Sequence, residues 1–219
     1  MKISAISAQL KNRDRVNVSV DGKYRFSLDL YQVVQRGLRV GNEYSEAELL
    51  ELEQESIFGK VYARTLEYCL MRPHSSREVR DYLWRKTRSV KRRNLETGEV
   101  TQKPGIAPEI TDRVMDRLIE KGYVDDEKFA RFWVENRNQT KGISMRKLTA
   151  ELRAKGVETV IIDKVMHSST REEKREIIKV IAKKGSRYPD QRKLIAYLAG
   201  QGFSYGDIRS ALDESETDE

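Results

Sequence analysis

Few residues in this chain of 219 could act on a substrate, and their surroundings argue for structure instead of reaction. His74 and His167 are its two histidines. His74 stands just before a helix cap, where a turn accounts for it. His167 falls near a helix end, placed to meet the terminal carbonyls. Cys69 is the single cysteine and sits between Tyr68 and Leu70, as a small core residue would. Alone it forms no internal disulfide, which agrees with a reducing compartment. Asp125 and Asp126 make a carboxylate pair, but acidic residues opening a helix serve as its cap and favour its dipole. No three metal ligands fall at workable spacing. No nucleophile elbow, phosphate-binding glycine loop, dinucleotide fingerprint or paired-cysteine motif is present. We therefore expect no catalytic residues, no metal and no cofactor, and a protein that is not an enzyme.

What remains is charge. Forty-two Lys and Arg face 35 Asp and Glu, a net charge of +7, with a pI near 9.4. That balance leans towards anionic partners, nucleic acid among them. Arg146, Lys147, Arg153 and Lys155 lie on or near one helix, and Arg131, Arg137 and Lys141 lead into it. Arg192 and Lys193 repeat the pair further on, and Arg77 and Arg80 precede it. These eleven residues form a candidate basic stripe for DNA phosphate or an acidic protein surface. The competing reading is a set of solvated charges paired with Glu at helical spacing. A second run, Arg85, Lys86, Arg88, Lys91, Arg92 and Arg93, crowds six positive charges into nine positions. Of these, Arg88, Lys91, Arg92 and Arg93 are candidate phosphate contacts. Trp84 is the one aromatic beside them, so base stacking is not expected there; a merely solvated loop is the alternative.

The elements that must carry these charges repeat. Arg146-Lys147-Leu148 with Leu152 and Gly156 recurs 46 residues on as Arg192-Lys193-Leu194 with Leu198 and Gly202. Ile162 and Met166 likewise map onto Ile208 and Leu212. A fixed period of this size marks stacked supersecondary units. Phe129, Ala130, Trp133 and Val134 match Ile177, Ile178, Ile181 and Ala182 at an offset of 48. Earlier, Val79 and Leu83 match Leu148 and Leu152 at 69, whereas Val114 and Leu118 match Ile162 and Met166 at 48. The two offsets differ by 21 residues, which locates an insertion at about 88–107. Leu148, Leu152 and Phe129 should be buried in one repeat and Leu194, Leu198 and Ile177 in the next. Gly156 and Gly202 should end helices in the left-handed conformation.

The first part of the chain reads differently. Val16, Val18 and Val20 alternate with polar residues, as do Tyr24, Phe26 and Leu28. Asp21-Gly22 between them favours a tight hairpin turn. Ile3 to Leu10 offers a further strand, Leu30 to Gly37 a short helix, and Ser45 with Glu48 a capping box. From Ile57 onward no strand pattern stands out. The expected organisation is a small α+β module (1–55), then repeat one (57–122) with its insertion, repeat two (123–169), repeat three (170–214) and an acidic tail (215–219). The fold class is mainly α: three tandem three-helix units in an elongated, curved array behind the hairpin module. Charged residues at 35% and hydrophobic ones at 38% suit a thin core and a large surface. No run approaches the ~18 apolar residues of a membrane span, and no signal-peptide layout opens the chain. A cytoplasmic monomer with no membrane contact is expected.

Specific residues carry a resemblance. Gly122-Tyr123-Val124-Asp125-Asp126-Glu127-Lys128-Phe129-Ala130 is followed by Trp133 through Arg137. Then come Gly142-Ile143, Arg146-Lys147-Leu148, Glu151-Leu152 and Lys155-Gly156-Val157. This order resembles the RecX family, with Arg72, His74, Ser75, Glu78 and Val79 similar to the start of its first unit. The resemblance covers residues 57 to 213. The hairpin module looks like an extension that some members carry, and the basic insertion is longer than the loop expected there. The resemblance implies a regulatory protein that binds RecA recombinase filaments on single-stranded DNA and limits them. It would block extension or promote disassembly, and so lower ATP hydrolysis, strand exchange and co-protease activity. Its partners would be the recombinase filament and the single strand within it, with direct contact to that strand as one arrangement. The alternatives are a stand-alone nucleic-acid-binding protein of helix-turn-helix-like units and a scaffold for protein partners.

Overall fold

The computed structural model describes residues 1–10, 12–93 and 98–215, without the side chains of Arg92, Glu214 and Ser215. The Arg92 side chain and residues 216–219 of the acidic tail therefore lie outside the described residues. The chain divides into two compact units: Met1–Arg72 with Val79–Tyr123, and Pro73–Glu78 with Val124 onward.

In the first unit, β1 (Ile3–Ala8), β2 (Arg15–Val20) and β3 (Lys23–Asp29) form an antiparallel sheet in that order. Asp21 and Gly22 both take positive φ, 47° and 81°, as the tight β2–β3 turn requires. The inward alternation of β2 buries Val16, Val18 and Val20 against Ile3, Phe26 and Leu28. A short helix, α1 (Leu30–Gln35), is capped by Asp29 and Gln32 acting reciprocally. Ser45 and Glu48 do the same for α2 (Glu46–Met71). Leu49 and Leu52 of α2 close the core of the sheet. The hydroxyl of Ser56 donates to the Ser27 carbonyl at 2.6 Å. Residues 55–57, where the sequence suggested a boundary, are thus inside one continuous helix; a single internal glycine, Gly59, costs only about 1 kcal/mol and does not interrupt it.

The rest of this unit comprises α3 (Ser76–Thr87) from Val79 onward, β4 (Val90–Arg93), β5 (Val100–Lys103) and α4 (Pro108–Glu120). Helices α2 and α4 pack together. Val61, Cys69, Val79, Leu83, Ile110, Val114 and Leu118 are buried. The insertion corrects the expectation of no strands beyond Ile57: β4 and β5 pair antiparallel, Val90 with Lys103 and Arg93 with Val100. Both valines are 59% exposed, so this ribbon buries no face and leaves no alternation to read. Its base is tied down. The Ile106 amide donates to the Lys86 carbonyl at 2.9 Å. A Cβ on Gly105 would fall 1.8 Å from the Thr87 carbonyl oxygen.

In the second unit the period becomes structure. Repeat two is α5 (Asp126–Asn136), α6 (Met145–Ala154) and α7 (Thr159–His167). Repeat three is α8 (Glu173–Lys184), a 3₁₀ turn (Gly185–Arg187), α9 (Gln191–Gly200) and α10 (Tyr205–Ser215). Phe129, Leu148, Leu152 and Ile162 form one buried cluster, and Ile177, Leu194, Leu198 and Ile208 its counterpart. The amphipathic stripes thus fall where the offsets place them. Gly156 and Gly202 end their helices at φ 81° and 94°. Asp125 accepts from the amides of Glu127 and Lys128 and so caps α5, while Asp126 instead accepts the Ser76 amide. The His167 ring meets the Asp163 carbonyl at 2.7 Å.

Candidate phosphate-binding site

The site is built around the start of α6. A loop from Asn138 (φ 49°) to Gly142 (φ 72°) brings the chain back from α5. Ser144 caps α6: its hydroxyl accepts the Lys147 amide at 3.2 Å and donates to the Gln201 carbonyl at 2.7 Å. Two carboxylates of α8 take neighbouring amides. Glu176, only 1% exposed, accepts from Ile143 at 3.0 Å and also meets Arg171 at 3.2 Å and Lys179 at 2.7 Å. Glu173 accepts from Met145 at 3.0 Å. Burial raises the Glu173 carboxyl above its ordinary range; the Met145 amide offsets part of this, while Asp207 and Glu176 add to it. The helix start is satisfied from the neighbouring repeat, as its orphan amides require.

This joint occurs twice. Ser75 stands 69 residues before Ser144; its hydroxyl donates to the Lys155 carbonyl at 2.8 Å and accepts the Glu78 amide at 3.1 Å. Lys155 in turn is 46 residues before Gln201, so the offsets of the sequence match the bonding. Asp126 accepts the Ser76 amide at 2.7 Å, as Glu173 accepts that of Met145. A Cβ on Gly156 would meet Arg77 at 2.9 Å, and one on Gly202 would meet the Ser144 hydroxyl at 2.7 Å. The glycines that end α6 and α9 are thus also the surfaces on which the joints close.

Beside the second joint lies a cleft of about 290 Å³, lined by Lys141, Lys147, Lys183 and Lys184 together with Ser144, Tyr197, Gln201 and Phe203. No carboxylate lines it. Lys147 reaches the side-chain oxygen of Gln201 at 3.3 Å. Lys141, Lys183 and Lys184 have no ion-pair partner among the described residues. Tyr197 is held by stacking on Tyr188, with ring centroids 4.6 Å apart. Because the Met145 and Lys147 amides are already bonded, an anion here would be held by lysine side chains. Several ammonium groups converging without a counter-charge suit phosphate oxygens, read by charge and not by base.

The structure sorts the eleven stripe residues. Arg131, Arg137 and Lys155 are engaged internally, by Glu127 at 2.9 Å, Glu151 at 2.8 Å and Glu78 at 2.5 Å. The hydrogen bond to Glu151 raises the Arg137 guanidinium above its usual range. Burial pushes the Glu151 carboxyl up, and the bonds from Arg137 and Trp133 outweigh it, leaving a net downward shift. Arg137 and Lys155 also lie 5.2 and 5.0 Å from the Trp133 ring centroid. Arg77 lies along the first joint, 3.4 Å from the Ala154 carbonyl. Arg146, Arg153, Arg192 and Lys193 are exposed and have no ion-pair partner among the described residues. Arg146 and Arg153, seven apart on α6, share a face. Lys141 and Lys147 enter the cleft. In the first unit Arg80, Lys91 and Arg93 are exposed, and Arg88 lies 5.2 Å from the exposed Trp84 ring.

Lys183 and Lys184 are not among the candidate residues of the sequence, where they stand only as the end of a helix. A signal existed: at the offset of 48 the same positions of repeat two are Glu135 and Asn136, so repeat three carries two positive charges where repeat two has one negative charge and no positive one.

Residues 1–45 match the family described as the regulatory protein RecX N-terminal domain, and residues 125–166 match RecX, second three-helix domain. A regulatory protein RecX of Bacillus subtilis is 30% identical over 98% of this chain and 77% of its own length. That of Bacillus licheniformis is 29% identical over the same shares. A crystal structure of a regulatory protein RecX superposes with a TM-score of 0.69 at 24% identity, covering 97% of this chain and 98% of the other. RecX from Lactobacillus salivarius gives 0.55 at 20% identity, covering 73% and 97%. At these identities the two structures bear on the fold alone. Among the described residues no helix is long and apolar enough to cross a membrane.

Proposed function

Because the chain belongs to the RecX family of regulatory proteins, we propose that it binds RecA recombinase filaments on single-stranded DNA and limits them. It blocks extension or promotes disassembly, and thereby reduces ATP hydrolysis, strand exchange and co-protease activity. It acts by binding and catalyses no reaction of its own, in the cytoplasm, as a monomer. The observation that supports a phosphate contact is the cleft where Lys141, Lys147, Lys183 and Lys184 converge without a carboxylate. The exposed Arg146, Arg153, Arg192 and Lys193 extend the same charge along α6 and α9. Repetition of one joint gives a natural way to present equivalent contacts at regular intervals to a partner that itself repeats.

The deciding experiment is ATP hydrolysis by the recombinase on single-stranded DNA, with this protein titrated from sub-stoichiometric to equimolar ratios. The rate should fall well below one protein per recombinase subunit. No change at equimolar, folded protein would overturn filament regulation in favour of a stand-alone nucleic-acid-binding protein. Reversing Arg146 and Lys147 together to Glu should weaken the inhibition with the fold intact; unchanged inhibition would remove that surface from the contact.

A further inference from the structure

The first compact unit holds a second basic concavity whose chemistry differs from that of the lysine cleft. Its volume is about 820 Å³, within the range of ligand-sized pockets. Ile57 and Val61 of α2, Ile110 of α4, and Pro104, Ile106 and Ala107 of the segment between them make an aliphatic floor. Lys60, Arg64, Lys86 and Lys103 stand around it, against the single carboxylate of Glu109. None of the four cations has an ion-pair partner among the described residues. Burial, then Arg15, Lys103 and Arg64, draw the Lys60 ammonium below its ordinary range, so repulsion among these cations is unrelieved.

The wall is a fixed one. Gly105 lies against the Thr87 backbone so closely that no Cβ fits, and the Ile106 amide is bonded to the Lys86 carbonyl. These contacts hold Lys103 and Ile106 against the end of α3. Tyr82 is the one aromatic residue of the lining. Its ring is already stacked on Tyr68 at 4.6 Å and met by the Lys86 ammonium at 4.6 Å. Base stacking is therefore poorly served, whereas aliphatic side chains are well served. An aliphatic floor with a cationic rim matches an apolar segment flanked by carboxylates.

We propose that this pocket docks an acidic peptide segment of a protein partner, seating its aliphatic side chains on Ile57, Val61, Ile106 and Ile110 and its carboxylates on Lys60, Arg64 and Lys103. This site is independent of the lysine cleft, so it stands whether or not that cleft binds phosphate.

The test is fluorescence anisotropy on the full chain with short fluorescein-labelled peptides. One carries Leu flanked by Glu, one the same Leu flanked by Lys, and one Ser flanked by Glu; labelled oligothymidylate is the fourth probe. The Leu/Glu peptide should bind saturably and about ten-fold tighter than the other two peptides. Lys60→Glu with Lys103→Glu should weaken it by about ten-fold, tighten the Leu/Lys peptide, and leave oligothymidylate unchanged. Lys103→Glu alone, on the exposed β5, should show the same direction should the double variant fail to fold. No saturable binding of the Leu/Glu peptide, equal binding of the three peptides, or loss of oligothymidylate instead of peptide would each overturn the proposal. The last result would make the pocket a nucleic-acid site.

Discussion

Glu176 is a buried charge used as a structural part. It takes the Ile143 amide and balances Arg171, whose side chain is 9% exposed, and Lys179. Removing one partner of such a group leaves the other charged and dry, at a cost of about 3–5 kcal/mol. Glu176→Ala should therefore lose about that much in urea unfolding at neutral pH, and Glu176→Gln less, because an amide oxygen still accepts from Ile143. A loss below about 1 kcal/mol for Glu176→Ala would show that solvent reaches Arg171. Its neighbour Glu173 gives stability a dependence on pH. Its folded value is raised, so the native state binds the proton more tightly than the unfolded chain. Stability from this group falls as pH rises from the ordinary carboxylate range through the raised value, and the penalty persists above it. Glu173→Gln keeps the acceptor for Met145 and discards the charge. It should be at least as stable as the parent at neutral pH and lose that advantage in acid. A constant difference across the two pH values would refute the assignment.

At the scale of elements, each joint is a helix start closed by the next repeat. Gly142 shows what that closure demands: its φ is 72°, and a Cβ would come within 2.3 Å of the Glu176 carbonyl oxygen. Gly37, at φ 62°, has nothing within 4 Å of the same position. Gly37→Ala should cost only the left-handed strain, about 1–2 kcal/mol. Gly142→Ala should cost about 3 kcal/mol or more, since backbone must also move; equal losses in thermal unfolding would mean the joint is loose. The joint also stops where the sequence changes. Asp190 takes the place that Ser144 holds 46 residues earlier; it caps Arg192 with its own carboxylate at 2.8 Å, and a carboxylate has no proton to donate onward. At the other end, the Lys86 carbonyl, 69 residues before that of Lys155, is taken by Ile106 of the insertion. The helices, their period and the caps at Ser45, Asp125, Gly156 and Gly202 were legible in the sequence because they rest on local spacing. The β4–β5 ribbon was not, since it buries no face and so imposes no alternation. Nor were the pairings of Arg137 with Glu151 and Lys155 with Glu78, which join residues whose proximity only the fold creates. Lys183 and Lys184 fell between: the repeat exposed them, but only a comparison with Glu135 and Asn136 makes the gain of charge visible.

For the whole molecule the net charge of +7 says less than where unmatched cations gather. Glu46, Glu55, Glu127 and Glu151 are spent on internal pairs with Arg25, Arg36, Arg131 and Arg137. Among the described residues, unmatched cations line two concavities of different chemistry: a polar cleft of lysines in the second unit and an aliphatic pocket with a cationic rim in the first. The two should respond differently to salt. Contacts to phosphate release counterions, and each one adds about 0.7 to the slope of log affinity against log salt on a single strand. Replacing Lys141, Lys147, Lys183 and Lys184 by Gln should therefore flatten that slope for oligothymidylate by up to about 3. Replacing Lys60 and Lys103 should leave it unchanged. Because all six are side chains at the surface or at cleft walls, their replacement should alter stability little, and thermal unfolding provides the check. A slope that responds to Lys60 and Lys103 but not to the four cleft lysines would exchange the roles of the two sites. The strand would then be held by the unit that carries the insertion, and the repeats would be left to meet protein.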